Sequence, residues 1–96
     1  MKKNSFFINV SRGKLVNTKD LCYFIKKKHF RGVGLDVTDP EPLVEKSILI
    51  NHPNVILTPH VAALTEECKS RMAKETIQNI IDFFENKLDK SKQIKL

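Results

Sequence analysis

Three short runs of β-forming apolar residues, at positions 6–10, 33–37 and 55–58, are each followed by polar, glycine-bearing or proline-bearing stops. Phe6-Phe7-Ile8-Asn9-Val10 is nearly continuous in apolar character, the pattern of a strand buried on both faces, and such strands belong to parallel sheets. Ser11-Arg12-Gly13 interrupts it. Asn17, with Asp20 three residues later, has the spacing of a capping box for a helix reaching about Lys28, with Leu21, Phe24, Ile25 and Lys28 on one face. His29-Phe30-Arg31-Gly32 ends that helix, and Val33-Gly34-Leu35-Asp36-Val37 reads as a second strand whose glycines permit close backbone approach.

Asp39-Pro40-Glu41-Pro42 can continue neither element, because each proline fixes its own φ and biases the residue before it toward extended backbone, so it is a loop. Residues 47–51 suggest one short helical turn, His52-Pro53-Asn54 a turn, and Val55-Ile56-Leu57-Thr58 a third strand stopped by Pro59. Thr65 can cap a long helix with Glu66 and Glu67 in its first turn, and Ala73, Ile77, Ile80, Ile81 and Phe84 give it an apolar stripe to about Asn86. A lysine-rich tail follows. The expected fold is therefore α/β: an open parallel sheet of about three strands with flanking helices and a long C-terminal helix.

At 96 residues the chain suffices for one small domain, and its 41% hydrophobic and 29% charged residues are those of a globular protein rather than a disordered one. No apolar run approaches the ~18–20 residues that cross a bilayer, and the basic start Met1-Lys2-Lys3 is not followed by the unbroken apolar segment of a signal peptide. Cys22 and Cys68 are isolated, without metal-ligand or disulfide-framework spacing, and read as buried free thiols in a reducing cytoplasm. The net charge of +6 raises the question of nucleic acid, but the lysines cluster at the end of the first helix (Lys26, Lys27, Lys28) and in the tail (Lys87, Lys90, Lys92, Lys95), with no stacking aromatics among them. Neither a nucleic acid nor a membrane is expected as a partner.

In open α/β sheets ligands bind outside the carboxyl ends of the strands. Arg12 follows the first strand, Asp36 and Glu41 follow the second, and His60 follows the third. An arginine, a glutamate and a histidine at one sheet edge suit the reduction of a carbonyl beside a carboxylate. Arg12 would hold the carboxylate through a bidentate pair, His60 would exchange a proton with the carbonyl oxygen, and Glu41 would hold the imidazole in one tautomer. Each residue also has a structural alternative: a loop arginine, a solvated turn carboxylate, a strand-end histidine satisfied by backbone.

Three successive segments resemble signatures of the D-isomer-specific 2-hydroxyacid dehydrogenases: Ile8-Asn9-Val10-Ser11-Arg12-Gly13, Gly34-Leu35-Asp36-Val37 with Glu41-Pro42, and Asn54-Val55-Ile56-Leu57-Thr58-Pro59-His60. The resemblance runs from Met1 to about Phe84 and implies that residues 1–86 are the C-terminal half of a Rossmann-like dinucleotide-binding domain, with residues 87–96 a tail. It implies catalytic roles for Arg12, Glu41 and His60. It also implies cofactor contacts at Val10, Arg12, Asp36 and His60, with NAD or NADP as cofactor, a small 2-oxo or 2-hydroxy acid as substrate, a homodimer and a cytoplasmic location. Asn17 stands where the family usually has Asp, and Ala63 where Gly is frequent.

The sequence has no GxGxxG phosphate-binding turn; its glycines are Gly13, Gly32 and Gly34. The expectation is a piece of such an enzyme in which Met1 is an internal methionine: a truncated reading frame in the first place, or one segment of a split gene. The alternative is a catalytically inactive chain acting as a protein-interaction module through its long C-terminal helix.

Overall fold

The computed structural model describes residues 1–93. Its elements are β1 (Phe6–Asn9), α1 (Thr18–Lys26), β2 (Gly32–Leu35), β3 (Val55–Leu57) and α2 (Glu66–Phe84), with single 3-10 turns at Gly13–Leu15 and Lys90–Lys92. Two units can be separated, Met1–Ala62 and the remainder from Ala63 on.

In the first unit the three strands form a parallel sheet in the order β1-β2-β3, with Phe7 beside Val33 and Val33 beside Val55. The α/β class and the parallel sheet are thus as the sequence predicts. Asn17 caps α1, its side-chain oxygen accepting from the amides of Lys19 at 3.0 Å and Asp20 at 3.3 Å. The helix stops two residues before the expected Lys28, because Lys28 adopts φ 51°, a left-handed conformation that cannot continue a right-handed helix.

Leu21 and Ile25 on α1 meet Val33 and Leu35 on β2, and Leu49 joins them at 1% exposure. Parallel strands are usually joined by a helical crossover. Between β2 and β3, however, the chain has only turns, including one at the 47–51 segment in which Ile50 N–H donates to the Ser47 carbonyl at 3.1 Å. Leu49 fills the core from that irregular segment. Phe24, expected on the buried face of α1, is instead exposed and lies edge-on to Tyr23 and His29.

Burial of the sheet on both faces is corrected by the structure. Strand alternation sends Phe7, Val33, Leu35, Val55 and Leu57 toward the core and sends Phe6, Ile8 and Ile56 to the opposite face, where they are 61%, 71% and 72% exposed. On that face Gly32 lies opposite Phe6, and a Cβ there would come 3.0 Å from the Phe6 ring. Everything in residues 1–62 that covers the sheet covers the other side.

In the second unit, Thr65 caps α2 by accepting from the Cys68 amide at 3.1 Å, with Glu66 and Glu67 in the first turn where the helix dipole favours them. The apolar stripe has helical spacing, yet no residue of α2 is buried. The helix ends at Phe84, two residues short of Asn86, and the Lys90–Lys92 turn interrupts the expected lysine tail, whose residues 94–96 lie outside the described part. Cys22 and Cys68, expected to be buried, are both half-buried, and partial burial pushes the Cys22 thiol up. Among the described residues no helix is long and apolar enough to cross a membrane.

Candidate active site

The carboxyl ends of the strands carry the chemistry of residues 1–62. At the end of β1, Asn9 is 8% exposed, and its side chain builds the turn that follows: Nδ2 donates to the Arg12 carbonyl at 3.0 Å, while Oδ1 accepts from the Ser11 amide at 3.1 Å. Val10 lies between them with an exposed side chain. Arg12 is exposed, and one of its guanidinium nitrogens donates to the Ser11 carbonyl at 2.7 Å. Gly13 then passes so close to the next loop that a Cβ would fall 1.9 Å from the Thr38 carbonyl oxygen. Only glycine fits there. That contact sets the Arg12 turn directly against the loop bearing Glu41.

Glu41 and His60 meet in a single bond, His60 Nδ1 to Glu41 Oε1 at 2.7 Å. The other carboxylate oxygen accepts from the Thr38 amide at 3.3 Å. The hydrogen bond from His60 and then that from Thr38 hold the Glu41 carboxyl below its ordinary range, so it is an anion at neutral pH and Nδ1 carries the shared proton. Both side chains are nearly half exposed, at 47% for His60 and 43% for Glu41. An ion pair so open to water contributes little to stability. What it fixes is the tautomer and direction of the imidazole, leaving Nε2 as the free ring nitrogen.

His60 has φ 57°, in the left-handed region that costs a non-glycine residue roughly 1–2 kcal/mol. Asp36, 5% exposed at the end of β2, binds the chain on both sides of it. Asp36 Oδ1 accepts from Thr58 Oγ1 at 2.5 Å and from the Val61 amide at 2.8 Å, and Oδ2 accepts from the Ala62 amide at 2.9 Å. The Thr58 bond leads the causes that hold the Asp36 carboxyl below its ordinary range. Three of roughly four acceptor positions on this carboxylate are used within the protein.

Two adjoining cavities share Thr38 and Glu41 as their common wall. One, of about 500 Å³, has Glu41, His60 and Asp36 beside an apolar floor of Pro42, Leu43, Ile50 and Leu57. The other, of about 480 Å³, is lined by Arg12, Gly13 and Lys14. The structure therefore brings Arg12, Glu41 and His60 to one edge of the sheet, as the sequence predicts, with Glu41 between the other two. Asn9, Thr38 and Thr58, which shape the loops, are not singled out by sequence reasoning. An asparagine inside an apolar strand run is the one available signal, since a buried amide must find partners.

The lowered carboxyls set the acid limit of this arrangement. A carboxylate whose folded value is depressed contributes stability at pH above its unfolded value and loses it as pH falls through the folded one. The amide resonances of Val61 and Ala62 are therefore expected to hold constant down to the ordinary carboxylate range near pH ~4 and to shift only below it. A shift centred above that range, followed by NMR, would contradict the bonding described.

A parallel α/β sheet that gathers charged and acid/base groups at its strand ends defines part of a Rossmann-like fold. Residues 1–62 match the D-isomer specific 2-hydroxyacid dehydrogenase, NAD binding domain family. The chain belongs to that family. It is 40% identical over 83 residues to a glyoxylate reductase of Korarchaeum cryptofilum, covering 86% of this chain and 25% of that one. To a glyoxylate/hydroxypyruvate reductase B of Citrobacter koseri it is 35% identical over 91 residues, covering 95% and 28%. Among solved structures, the D-isomer specific 2-hydroxyacid dehydrogenase of Xanthobacter autotrophicus, in complex with NADPH and MES, matches 99% of this chain and 38% of its own with a TM-score of 0.77 at 29% identity. The chain spans about a quarter of the length of the curated relatives it matches.

For a nicotinamide cofactor the residues present fit one end only. One acceptor position of Asp36 is left unused within the protein, beside the cavity that Asp36 lines with Glu41 and His60. None of the three glycines makes a phosphate cradle: Gly13 is packed on Thr38, and Gly32 and Gly34 lie within β2.

Proposed function

We propose that residues 1–86 serve as the C-terminal half of the dinucleotide-binding domain of an NAD(P)-dependent D-2-hydroxyacid dehydrogenase, and supply its substrate-orienting and proton-exchanging groups. The observation that carries this reading is the 2.7 Å bond between His60 Nδ1 and Glu41 Oε1 at the strand ends, with Arg12 across the shared wall. NADH or NADPH, when bound, would supply a hydride for the carbonyl carbon of a 2-oxo acid. Arg12 turns its remaining guanidinium donors to the substrate carboxylate. His60, protonated at Nε2, gives that proton to the carbonyl oxygen, so the 2-oxo acid becomes a 2-hydroxy acid and the imidazole becomes neutral. Glu41 keeps Nδ1 protonated throughout. Val10 and Asp36 stand as the chain's contacts to the nicotinamide end.

The relatives named above support glyoxylate and hydroxypyruvate as first substrates to try, and the family resemblance adds pyruvate. A homodimer and a cytoplasmic location accompany the same reading, which takes no nucleic acid or membrane as a partner. The test replaces the matching segment of the Korarchaeum glyoxylate reductase with residues 1–93 and follows NADH oxidation with each of the three acids, beside the present chain alone. Turnover by the chimera and none by the chain alone is the expected result. A folded chimera that binds NADH but turns over none of the acids would overturn the reading.

A second reading is favoured by α2, whose Ile77, Ile80 and Phe84 are 60%, 54% and 79% exposed. On that reading the chain is catalytically inactive and engages another protein through this helix face. A purified chain that sediments as a monomer with the α2 methyl groups protected from a paramagnetic co-solute would remove its basis.

A further inference from the structure

We propose that Asp36 is a positioning residue whose carboxylate locks the left-handed turn at His60 and so holds the imidazole on Glu41. This rests on the reading of Glu41 and His60 as an acid/base pair, and gives Asp36 a task beyond contact with a cofactor.

Asp36 is tied into the sheet on both sides, its own amide donating to the Asn9 carbonyl at 3.0 Å and the neighbouring Leu35 carbonyl accepting from the Thr58 amide at 3.0 Å. From this fixed point its carboxylate reaches under the loop after β3 and takes donors from residues 58, 61 and 62. These straddle His60 without touching it. With both flanks pinned, the left-handed φ at residue 60 is what lets the amides of Val61 and Ala62 converge on one side chain while the imidazole points to Glu41.

Asparagine cannot do this. An amide offers one acceptor oxygen, and its NH2 group would face one of the N–H groups that Asp36 now accepts. With that anchor gone, His60 is free to leave a conformation that L residues disfavour. The hydroxyl of Thr58 contributes one of the three bonds, and Thr58→Val removes it while keeping the charge of Asp36.

Glu41 reports the outcome through opposed effects. The groups acting on its carboxyl are His60 and the Thr38 amide, which lower it, and the like charge of Asp36, which raises it. Loss of the Asp36 charge by itself would therefore lower Glu41 further. Loss of the His60 bond would raise it. The experiment is a carboxyl-carbon NMR titration of Glu41 in the full chain for wild type, Asp36→Asn and Thr58→Val, with the Leu35 and Leu49 methyl shifts as the check on folding. The expected result is a rise of Glu41 toward the ordinary carboxylate range in Asp36→Asn and a smaller rise in Thr58→Val. Glu41 unchanged or lowered in a folded Asp36→Asn variant would overturn the proposal. If that variant does not fold, an unchanged Glu41 in Thr58→Val overturns it. No cofactor or substrate enters the measurement, so its failure is distinct from failure of the dehydrogenase reading.

Discussion

Leu49→Ala is expected to cost residues 1–62 about half or more of their stability. Leu49 is 1% exposed and belongs to the core cluster with Leu21, Ile25, Val33 and Leu35. Truncating a leucine so placed removes its transfer free energy and leaves a cavity, together about 2–5 kcal/mol. A unit of this size has roughly 3–9 kcal/mol in all, at the usual 0.05–0.15 kcal/mol per residue. The irregular segment that delivers Leu49 has no helix of its own to resist the loss. Urea denaturation followed by circular dichroism should show the midpoint reduced by half or more, or no folded baseline at all. A loss under about 0.5 kcal/mol, the size typical of surface changes, would mean that Leu49 is not a core residue.

The second large effect is catalytic. In the chimera described above, His60→Ala is expected to lower kcat by about 10²–10⁴-fold, the usual contribution of a positioned acid/base group. The KM for the 2-oxo acid should move little, because the carboxylate is assigned to Arg12. Glu41→Gln should lower kcat less, since a neutral amide oxygen can still accept from Nδ1 and hold the ring in the same tautomer. Stopped-flow NADH oxidation separates these outcomes. An unchanged kcat in His60→Ala would remove His60 from the proton path.

Arg12, Glu41 and His60 are legible in the sequence because each follows a strand, and strand ends in a parallel sheet converge. The strands themselves are legible from β-branched and aromatic runs bounded by Gly and Pro. The exposure of Phe6 and Ile8 is not, because a continuous apolar run marks a strand with two apolar faces and does not say whether both are covered. Leu49 is hidden for the opposite reason. Its segment has no periodicity, and burial there depends on contacts with β2 and α1 that are remote in sequence.

Asp36 is legible as a site residue through its position, yet its bonds to Thr58, Val61 and Ala62 span more than twenty positions and leave no local pattern. The left-handed φ at His60 is equally silent, because in a sequence glycine, rather than histidine, announces such a turn. Caps are easier. Asn17 and Thr65 act within three residues of themselves, and the structure has both where the sequence places them.

The packing of Gly13 on Thr38 has a consequence for how this site can change over evolutionary time. The gap between the arginine turn and the glutamate loop leaves no room for a Cβ, so even a single added methyl would act as a spacer between them. Neighbouring loop positions remain open to change, while position 13 works as a gauge block that keeps the Arg12 turn and the Glu41 loop at a fixed pitch.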